Sequence, residues 1–316
     1  MKVYRAVDDF KRLSYAVVTS GIFDGVHKGH QKILQRVTEI AKNSNGESVV
    51  ITFWPHPRKV LHPTEQSVPI LTTLEEKIQL ISDCGIDHLL IIPFTKDFSS
   101  LSSSEFVTKI LVEKIGTKKL AIGYDHKFGK NREGSFEFLK ENCQQFGFEV
   151  EEIPKQEVEH MAVSSTNIRN AVINGDLGIA TQYLGRYYSV SGKVVKGKQL
   201  GKQLGYPTAN IEVEDKEKLI PKDGIYAVQV KIENQVFGGM LSIGYNPTVN
   251  GTDKTIEVHI FNFDNEIYGM NIEVFFVEYL RNEEKFSSLD ELIKQLHLDK
   301  ENSLQILKDK SYNLKH

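Results

Sequence analysis

Gly21-Ile22-Phe23-Asp24-Gly25-Val26-His27-Lys28-Gly29-His30 is the stretch whose reading decides the fold of the first half of this chain. Before it, residues 15–19 (YAVVT) read as a short buried strand. After it, Ile33, Leu34, Val37, Ile40 and Ala41 fall at helical spacing over 31–41. A strand, a glycine turn and a helix in that order make a cradle for phosphate. Glycines permit the tight turn, and free N–H groups at a helix start hold anions. His27 and His30 add donors to phosphoryl oxygens, and such donors help most where charge builds in a transition state. The spelling is not the dinucleotide GxGxxG pattern. Two other readings fit the same ten residues: a glycine turn with two solvated histidines, and a metal pair completed by Asp24.

Working outward, a second strand is expected over 48–53, closed by Trp54-Pro55-His56-Pro57. Helices are expected over 74–81, 105–115 and 135–146, and strands over 88–92, 119–122 and 148–153. Two closing helices fit 167–171 and 177–184. Strands alternating with helices, with continuous apolar strand cores, predict a parallel sheet covered on both faces. The rhythm changes at Tyr187. YSVSGKVV, IYAVQVKI, VFGGMLSI, IEVHIF and MNIEVFFVEYL alternate with glycine turns and predict a small β-barrel. A final helix fits 289–296, with Leu289, Leu292, Ile293 and Leu296 on one stripe. The expected architecture is α/β, a parallel-sheet domain over 1–185 and a β-barrel domain over 186–316.

Composition narrows the class. At roughly 100–200 residues per domain, 316 residues make two domains the first expectation. A net charge of -3 argues against a nucleic-acid or anionic-membrane partner, since no dominant basic field is present. The two cysteines, Cys84 and Cys143, provide neither a disulfide framework nor a cysteine-rich zinc cluster, which suits a reducing, cytoplasmic setting. No secretory apolar core follows the N-terminus, and no run reaches the roughly 18 apolar residues of a membrane span. No obligate protein partner is evident, and small molecules are the expected partners.

Further motifs carry chemistry. Gly123-Tyr124-Asp125-His126-Lys127-Phe128-Gly129 follows another expected strand. Ser164-Ser165-Thr166-Asn167-Ile168-Arg169 places hydroxyls before a helix and an arginine on its first turn. The hydroxyls can cap that helix, and can also meet phosphate beside Arg169. In the second half, Gly192 to Lys198 almost spells a Walker A loop. Gln199 and Pro207 then replace the required Ser/Thr and helix, so that mechanism is rejected. What remains is a Gly/Lys loop with Gly197, Lys198, Gly201 and Gly205, followed by Tyr206-Pro207-Thr208-Ala209-Asn210. It can wrap phosphates, and Thr208 and Asn210 can offer hard oxygen ligands to a hydrated Mg2+. A lysine-rich surface hairpin is the other reading. Over 256–260, Ile256, Val258 and Ile260 share one strand face, and Glu257 and His259 share the other. Glu257 is placed to serve as a general base, or both residues face solvent.

GIFDGVHKGH, GYDHKFG and VSSTNIR, in this order, resemble the FMN adenylyltransferase module of the bacterial bifunctional riboflavin kinase/FMN adenylyltransferase (FAD synthetase) family, over about 17–184. That module is one of the HxGH nucleotidyltransferases. The resemblance implies a Rossmann-like fold and transfer of AMP from ATP to FMN, releasing pyrophosphate. It implies that His27 and His30 face the ATP phosphates, with Ser164, Ser165, Thr166 and Arg169 supporting them from the other side. Gly21, Phe23, Asp24, Gly25, Gly29, Gly123, Asp125 and Phe128 then fall around the nucleotide. Phe53, Pro55, His56, Pro57 and Arg58 match the family's TFxPHP segment and are expected around the flavin.

The PTAN segment resembles the riboflavin kinase module together with GIYA (224–227), IGYNPT (243–248), EVHIFNF (257–263), Tyr268-Gly269 and YLRNEEKF (279–286), over about 187–298. This implies a phosphate loop, Mg2+ at Thr208 and Asn210, a flavin-side flap near Arg281 and Glu257 as base. The γ-phosphate of ATP passes to the ribityl 5′-hydroxyl of riboflavin, so ATP, riboflavin, FMN and FAD are the implied substrates and products. Asn262 and Tyr279 depart from the family's usual spelling, at positions that bear on flavin contacts and not on the reaction. One competing reading is another HxGH nucleotidyltransferase, acting on a pantetheine phosphate or lipid head group; the PTAN segment opposes it. The other is a non-catalytic flavin-binding protein; the intact His27, His30, Arg169, Thr208, Asn210 and Glu257 oppose that.

Overall fold

The computed structural model describes residues 1–63, 68–123, 126–153, 163–197, 201, 204–248 and 251–310. Asp125 and Lys198, both expected at phosphate or flavin sites, lie outside the described residues. The chain packs as two compact units, Met1–Ser165 and Thr166–His316.

The first unit is built on six parallel strands: β1 Lys2–Tyr4, β2 Ala16–Ser20, β3 Glu47–Trp54, β4 His88–Pro93, β5 Thr117–Gly123 and β6 Glu149–Ile153. Their spatial order is β1-β4-β3-β2-β5-β6. Both faces are buried, which is why the strands read as unbroken apolar runs. Val18, Ile51, Leu90 and Leu120 point into one core; Val17, Val50, Leu89 and Ala121 point into the other. The chain reverses its direction of winding between β2 and β5. In such sheets the crevice beyond the strand ends at that reversal is where ligands bind.

Three departures from the sequence expectations have local causes. Helix α1 spans Lys28–Asn43 and so begins three residues earlier than the apolar spacing predicts. His27 is its N-cap, its Nδ1 accepting the His30 backbone N–H at 3.3 Å, and a cap leaves no trace in periodicity. Phe106–Ile115 is a π-helix, ended by Gly116 at φ +82°. A short helix, α2 Pro57–Leu61, follows the β3 end, with His56 accepting from Arg58 N–H at 3.2 Å. Helix α3, Leu74–Asp83, opens on a capping box in which Thr73 and Glu76 satisfy one another's backbone N–H groups.

The second unit opens with helices Ser165–Asn174 and Leu177–Leu184. Strands β7 Tyr188–Val195, β8 Ala209–Glu212, β9 Gly224–Ile232, β10 Gln235–Thr248, β11 Gly251–Ile260 and β12 Asn271–Arg281 follow. They close as a barrel in the order β10-β11-β8-β7-β12-β9. Closure removes every open edge. Tyr226, Val228, Val230, Ile243, Val258, Val274 and Phe276 are buried in this unit.

The C-terminal helix runs over Leu289–Lys310, well beyond the expected end at 296. Its buried positions there are Asp299 and Ser303. Polar residues on the packed face erase the apolar stripe on which the sequence reading relied. Leu289, expected on that stripe, is 58% exposed.

Candidate active sites

The first site forms at the β2/β5 reversal. The turn leaving β2 is strained: Phe23 has φ +50° and Val26 has φ +36°, an uncommon region for any side chain and more so for a β-branched one. Such a conformation persists only where the surroundings over-determine it. The surroundings do so here. The buried Asp24 carboxylate accepts the backbone N–H of Leu71 at 3.0 Å and of Thr72 at 3.2 Å. Thr72 Oγ1 accepts from Gly25 N–H at 3.1 Å. The Ile22 carbonyl accepts from Lys77 Nζ at 2.8 Å and from Thr52 Oγ1 at 3.2 Å. Ser165 Oγ donates to the Asp24 carbonyl at 2.9 Å, tying the SSTNIR hydroxyls to the turn.

This frame stacks His27 on His30, ring centroids 3.6 Å apart and 15° from parallel. Because His27 Nδ1 accepts from the His30 backbone, a neutral His27 carries its proton on Nε2. His30 Nδ1 is buried without a hydrogen-bond partner. Burial, then the charges of His27 and Lys77, hold the His30 pKa well below the ordinary histidine value. His30 is therefore uncharged at neutral pH. Gly21 lets the Phe23 ring approach closely, since a Cβ there would stand 3.1 Å from it. Gly29 is buried in the first turn of α1, where N–H groups are free for an anion.

The 123–129 segment reaches the same crevice through Gly123 and His126. Gly123 is the buried end of β5, and its carbonyl accepts from His126 N–H at 3.0 Å. His126 Nε2 lies 3.1 Å from Ser20 Oγ at the end of β2. Phe53 and Phe128 are joined through Phe98 and Phe106, with successive centroids 5.7, 6.2 and 5.7 Å apart. Pro55, His56 and Pro57 are partly exposed and Arg58 is exposed beyond the end of β3. In the second unit, Ser165–Asn174 carries exposed Thr166 and buried Arg169 on its first turns. Ser20, His126 and Lys77 were not among the sequence-derived site residues. A lysine in a Leu-Glu-Glu-Lys helix start reads as a solvated charge, and only packing shows that this one turns inward.

The second site lies on the barrel wall. The ladder sets Asn210 between Val195 of β7 and Glu257 of β11. Thr208 Oγ1 donates to Glu257 Oε2 at 3.1 Å. Gly197 backs directly onto Asn210: a Cβ at that position would stand 2.1 Å from Asn210 Nδ2, so no other residue fits without displacing the amide. Gly201 and Gly205 shape the turn before PTAN. Tyr206 N–H returns to the Gly201 carbonyl at 2.8 Å, and Gly205 takes φ +80°. A cleft of about 550 Å³ opens alongside, lined by Val194, Lys196, Pro207, Thr208, Ile260 and Tyr268 among others. Thr208 lines this cleft and contacts Glu257. Of the 263–268 wall, the sequence reading singled out Phe263 and Tyr268 and missed 264–267, a loop without periodicity.

Behind PTAN, the buried His259 lies with its Nδ1 2.8 Å from the Pro207 carbonyl, and burial lowers its pKa. Glu257 and His259 thus share a strand face, as the alternation predicts, but His259 is covered instead of solvated. Arg281 is fully engaged. Its Nε and Nη2 form a bidentate pair with Asp299 at 2.9 and 2.7 Å, and its Nη1 donates to the Asn282 carbonyl at 3.0 Å. Gln295 Nε2 donates to Asp299 at 2.9 Å. The Arg281 pKa is raised, chiefly by Asp299.

Comparison with known proteins identifies both halves of the chain. The FAD synthetase family model matches residues 9–167, and the riboflavin kinase family model matches 184–307. A bifunctional riboflavin kinase/FMN adenylyltransferase of Buchnera aphidicola subsp. Schizaphis graminum is 39% identical over 99% of this chain and 100% of its own. The protein of the same name from Escherichia coli K12 is 34% identical over 95% of this chain and 96% of its own. A crystallised Streptococcus pneumoniae protein named for macrolide efflux has the same fold: TM-score 0.86, 32% identity, 95% of this chain and 97% of that one. Among the described residues no helix is long and apolar enough to cross a membrane. With a strained glycine turn at the sheet reversal, a PTAN loop on the barrel and relatives matched from end to end, the chain belongs to the bifunctional riboflavin kinase/FMN adenylyltransferase family, whose members convert riboflavin and ATP to FMN and then FMN and ATP to FAD.

Proposed function

We propose that the two reactions are divided between the two sites, adenylyl transfer at the β2/β5 crevice and riboflavin phosphorylation on the barrel, with the functional boundary at 185/186. The observation that supports this reading is that each unit carries its own glycine turn, with Gly21 and Gly25 in the first and Gly197, Gly201 and Gly205 in the second. At the first, a phosphate oxygen of FMN attacks the α-phosphorus of ATP as the bond to pyrophosphate breaks. His27 and His30 donate to the phosphoryl oxygens, and Ser165 opposes the same charge. Alignment and charge stabilisation suffice, with no covalent enzyme intermediate. Phe53, Phe128 and the Pro55–Arg58 corner hold the flavin.

On the barrel, Glu257 accepts the proton of the ribityl 5′-hydroxyl as that oxygen bonds to the γ-phosphorus and ADP leaves. The Thr208 hydroxyl orients the Glu257 side chain, and Gly197, Gly201 and Gly205 let the backbone reach the phosphates. Thr208, Asn210 and the neighbouring Glu257 present oxygen donors of the kind Mg2+ prefers, so Thr208 and Asn210 would hold that ion. When bound it neutralises phosphate charge. Arg281 serves the flavin flap by fixing the β12 end through Asp299. Cytoplasmic work on small molecules is part of the same proposal; a chain with two cysteines, Cys84 and Cys143, and no disulfide framework suits it.

Incubation with riboflavin, ATP and MgCl2, with products resolved over time, tests the reading. FMN should appear first and FAD second, and EDTA should stop both. FAD formed without FMN as intermediate, or turnover unaffected by EDTA, would overturn it.

A further inference from the structure

Lys77 lies on α3 and is 2% exposed. Lysines at a helix surface normally extend to water, and burying an ammonium costs several kcal/mol unless it is partnered. Three groups partner this one. Its Nζ donates to the Ile22 carbonyl at 2.8 Å, stands 5.3 Å from the Trp54 ring centroid, and is attracted by Asp24. A methionine would fill similar space without the desolvation cost. What the lysine adds is a hold on one carbonyl, and that carbonyl adjoins the strained Phe23–Val26 turn.

We propose that Lys77 is a positioning residue for adenylyl transfer, whose ammonium fixes the Ile22 carbonyl and so sets the turn that aims His27 and His30. This rests on the assignment of adenylyl transfer to that site. Residues other than glycine with φ in the left-handed region are strained, and the turn holds two of them, Phe23 and Val26. Asp24 clamps one side through Leu71 and Thr72. Lys77 and Thr52 clamp the other through Ile22. Without the lysine the Ile22 carbonyl keeps only the weaker hydroxyl donor, and the turn relaxes.

The lysine's charge has a second effect. The charged and titratable groups acting on His30 are His27 from the turn and Lys77 from α3, while Asp24 acts on Lys77. Burial brings Lys77 itself down to about 8, so it remains largely cationic at neutral pH. Together with burial and His27, it disfavours a charged His30. With Nδ1 buried and unpartnered, the neutral Nε2–H form is the one that leaves no donor unsatisfied at Nδ1.

Lys77→Met in the full chain tests this. FAD formation from supplied FMN should fall on the order of 10²-fold, the loss expected when reacting groups shift by about 1 Å, mainly in kcat. The acid limb of its pH–rate profile should move to higher pH, because removing a positive neighbour lets His30 take a proton more readily. Riboflavin kinase activity in the same sample should be unchanged. Normal FAD formation, or a reduced rate with an unmoved acid limb, would overturn the proposal, the second outcome marking Lys77 as packing alone. If the variant fails to fold, side-chain 15N NMR of the wild-type protein still decides: His30 titrating in the ordinary histidine range overturns it. A wild-type protein that makes no FAD from FMN and ATP would instead defeat the site assignment.

Discussion

Thr208 and Glu257 meet side chain to side chain at 3.1 Å, the threonine hydroxyl donating to the carboxylate. They lie 49 residues apart in the chain and on neighbouring barrel strands or their approach. The contact joins the proposed phosphate loop to the proposed base, so on this reading the loop orients the base.

Glu257→Gln should therefore leave binding nearly intact and remove base function. Glutamine keeps the size and can still accept from Thr208. FMN formation in a single turnover at saturating riboflavin and MgATP should drop by about 10²–10⁴-fold. FAD formation from supplied FMN serves as internal control and should not change. Near-normal FMN formation would take the base role from Glu257.

His30→Ala should separate the two activities in the opposite sense. Loss of one transition-state donor costs on the order of 10²–10³ in rate, and His30 belongs to the first unit's site alone. FAD formation should fall by that factor while FMN formation stays at the wild-type rate. Equal loss of both in a folded variant would contradict separate sites.

The pair between Arg281 and Asp299 predicts a stability effect. Asp299 is 2% exposed and the Arg281 side chain 18%. Removing one partner of a buried pair leaves the other charge uncompensated. Asp299→Ala should destabilise the second unit by about 3 kcal/mol, the lower end of the range for buried pairs because Arg281 keeps some access to water. Urea unfolding followed by near-ultraviolet circular dichroism measures it. A change under about 0.5 kcal/mol, the usual limit for a surface substitution, would show that water replaces the pair.

Helix Leu177–Leu184 makes a prediction about truncation. Leu177, Ala180 and Leu184 are 3%, 0% and 1% exposed, and the helix packs on β7 and β12 within the second unit. A fragment starting at Thr166 should melt at a higher temperature than one starting at Arg186, although both carry every barrel strand. Identical melting curves would show that the helix adds nothing to the barrel.

Much of this protein was decided locally and was legible residue by residue. The parallel sheet announced itself because strands buried on both faces must be apolar throughout. Val17 and Val18 serve opposite cores, so neither position tolerates polarity. The barrel strand 256–260 was legible for the converse reason: only its Ile256, Val258 and Ile260 face is interior, which imposes alternation. Glycines marked both phosphate turns because the backbone there must come close to a neighbour, as Gly197 does to Asn210. The order of motifs then carried the family and the two reactions.

The sequence by itself could not say where long-range partners stand. Lys77 and Asp299 look like solvated charges on helices, since local pattern records which face is apolar but not what a charge meets. Tertiary packing turned Lys77 onto the Ile22 carbonyl and Asp299 onto Arg281. The same reason truncated the expected C-terminal helix, whose packed face is polar where those partners meet. What a residue is made of fixed its chemistry and its strand or helix; what it can do for catalysis was decided by neighbours brought in from distant segments, through hydrogen bonds and charges that periodicity does not encode.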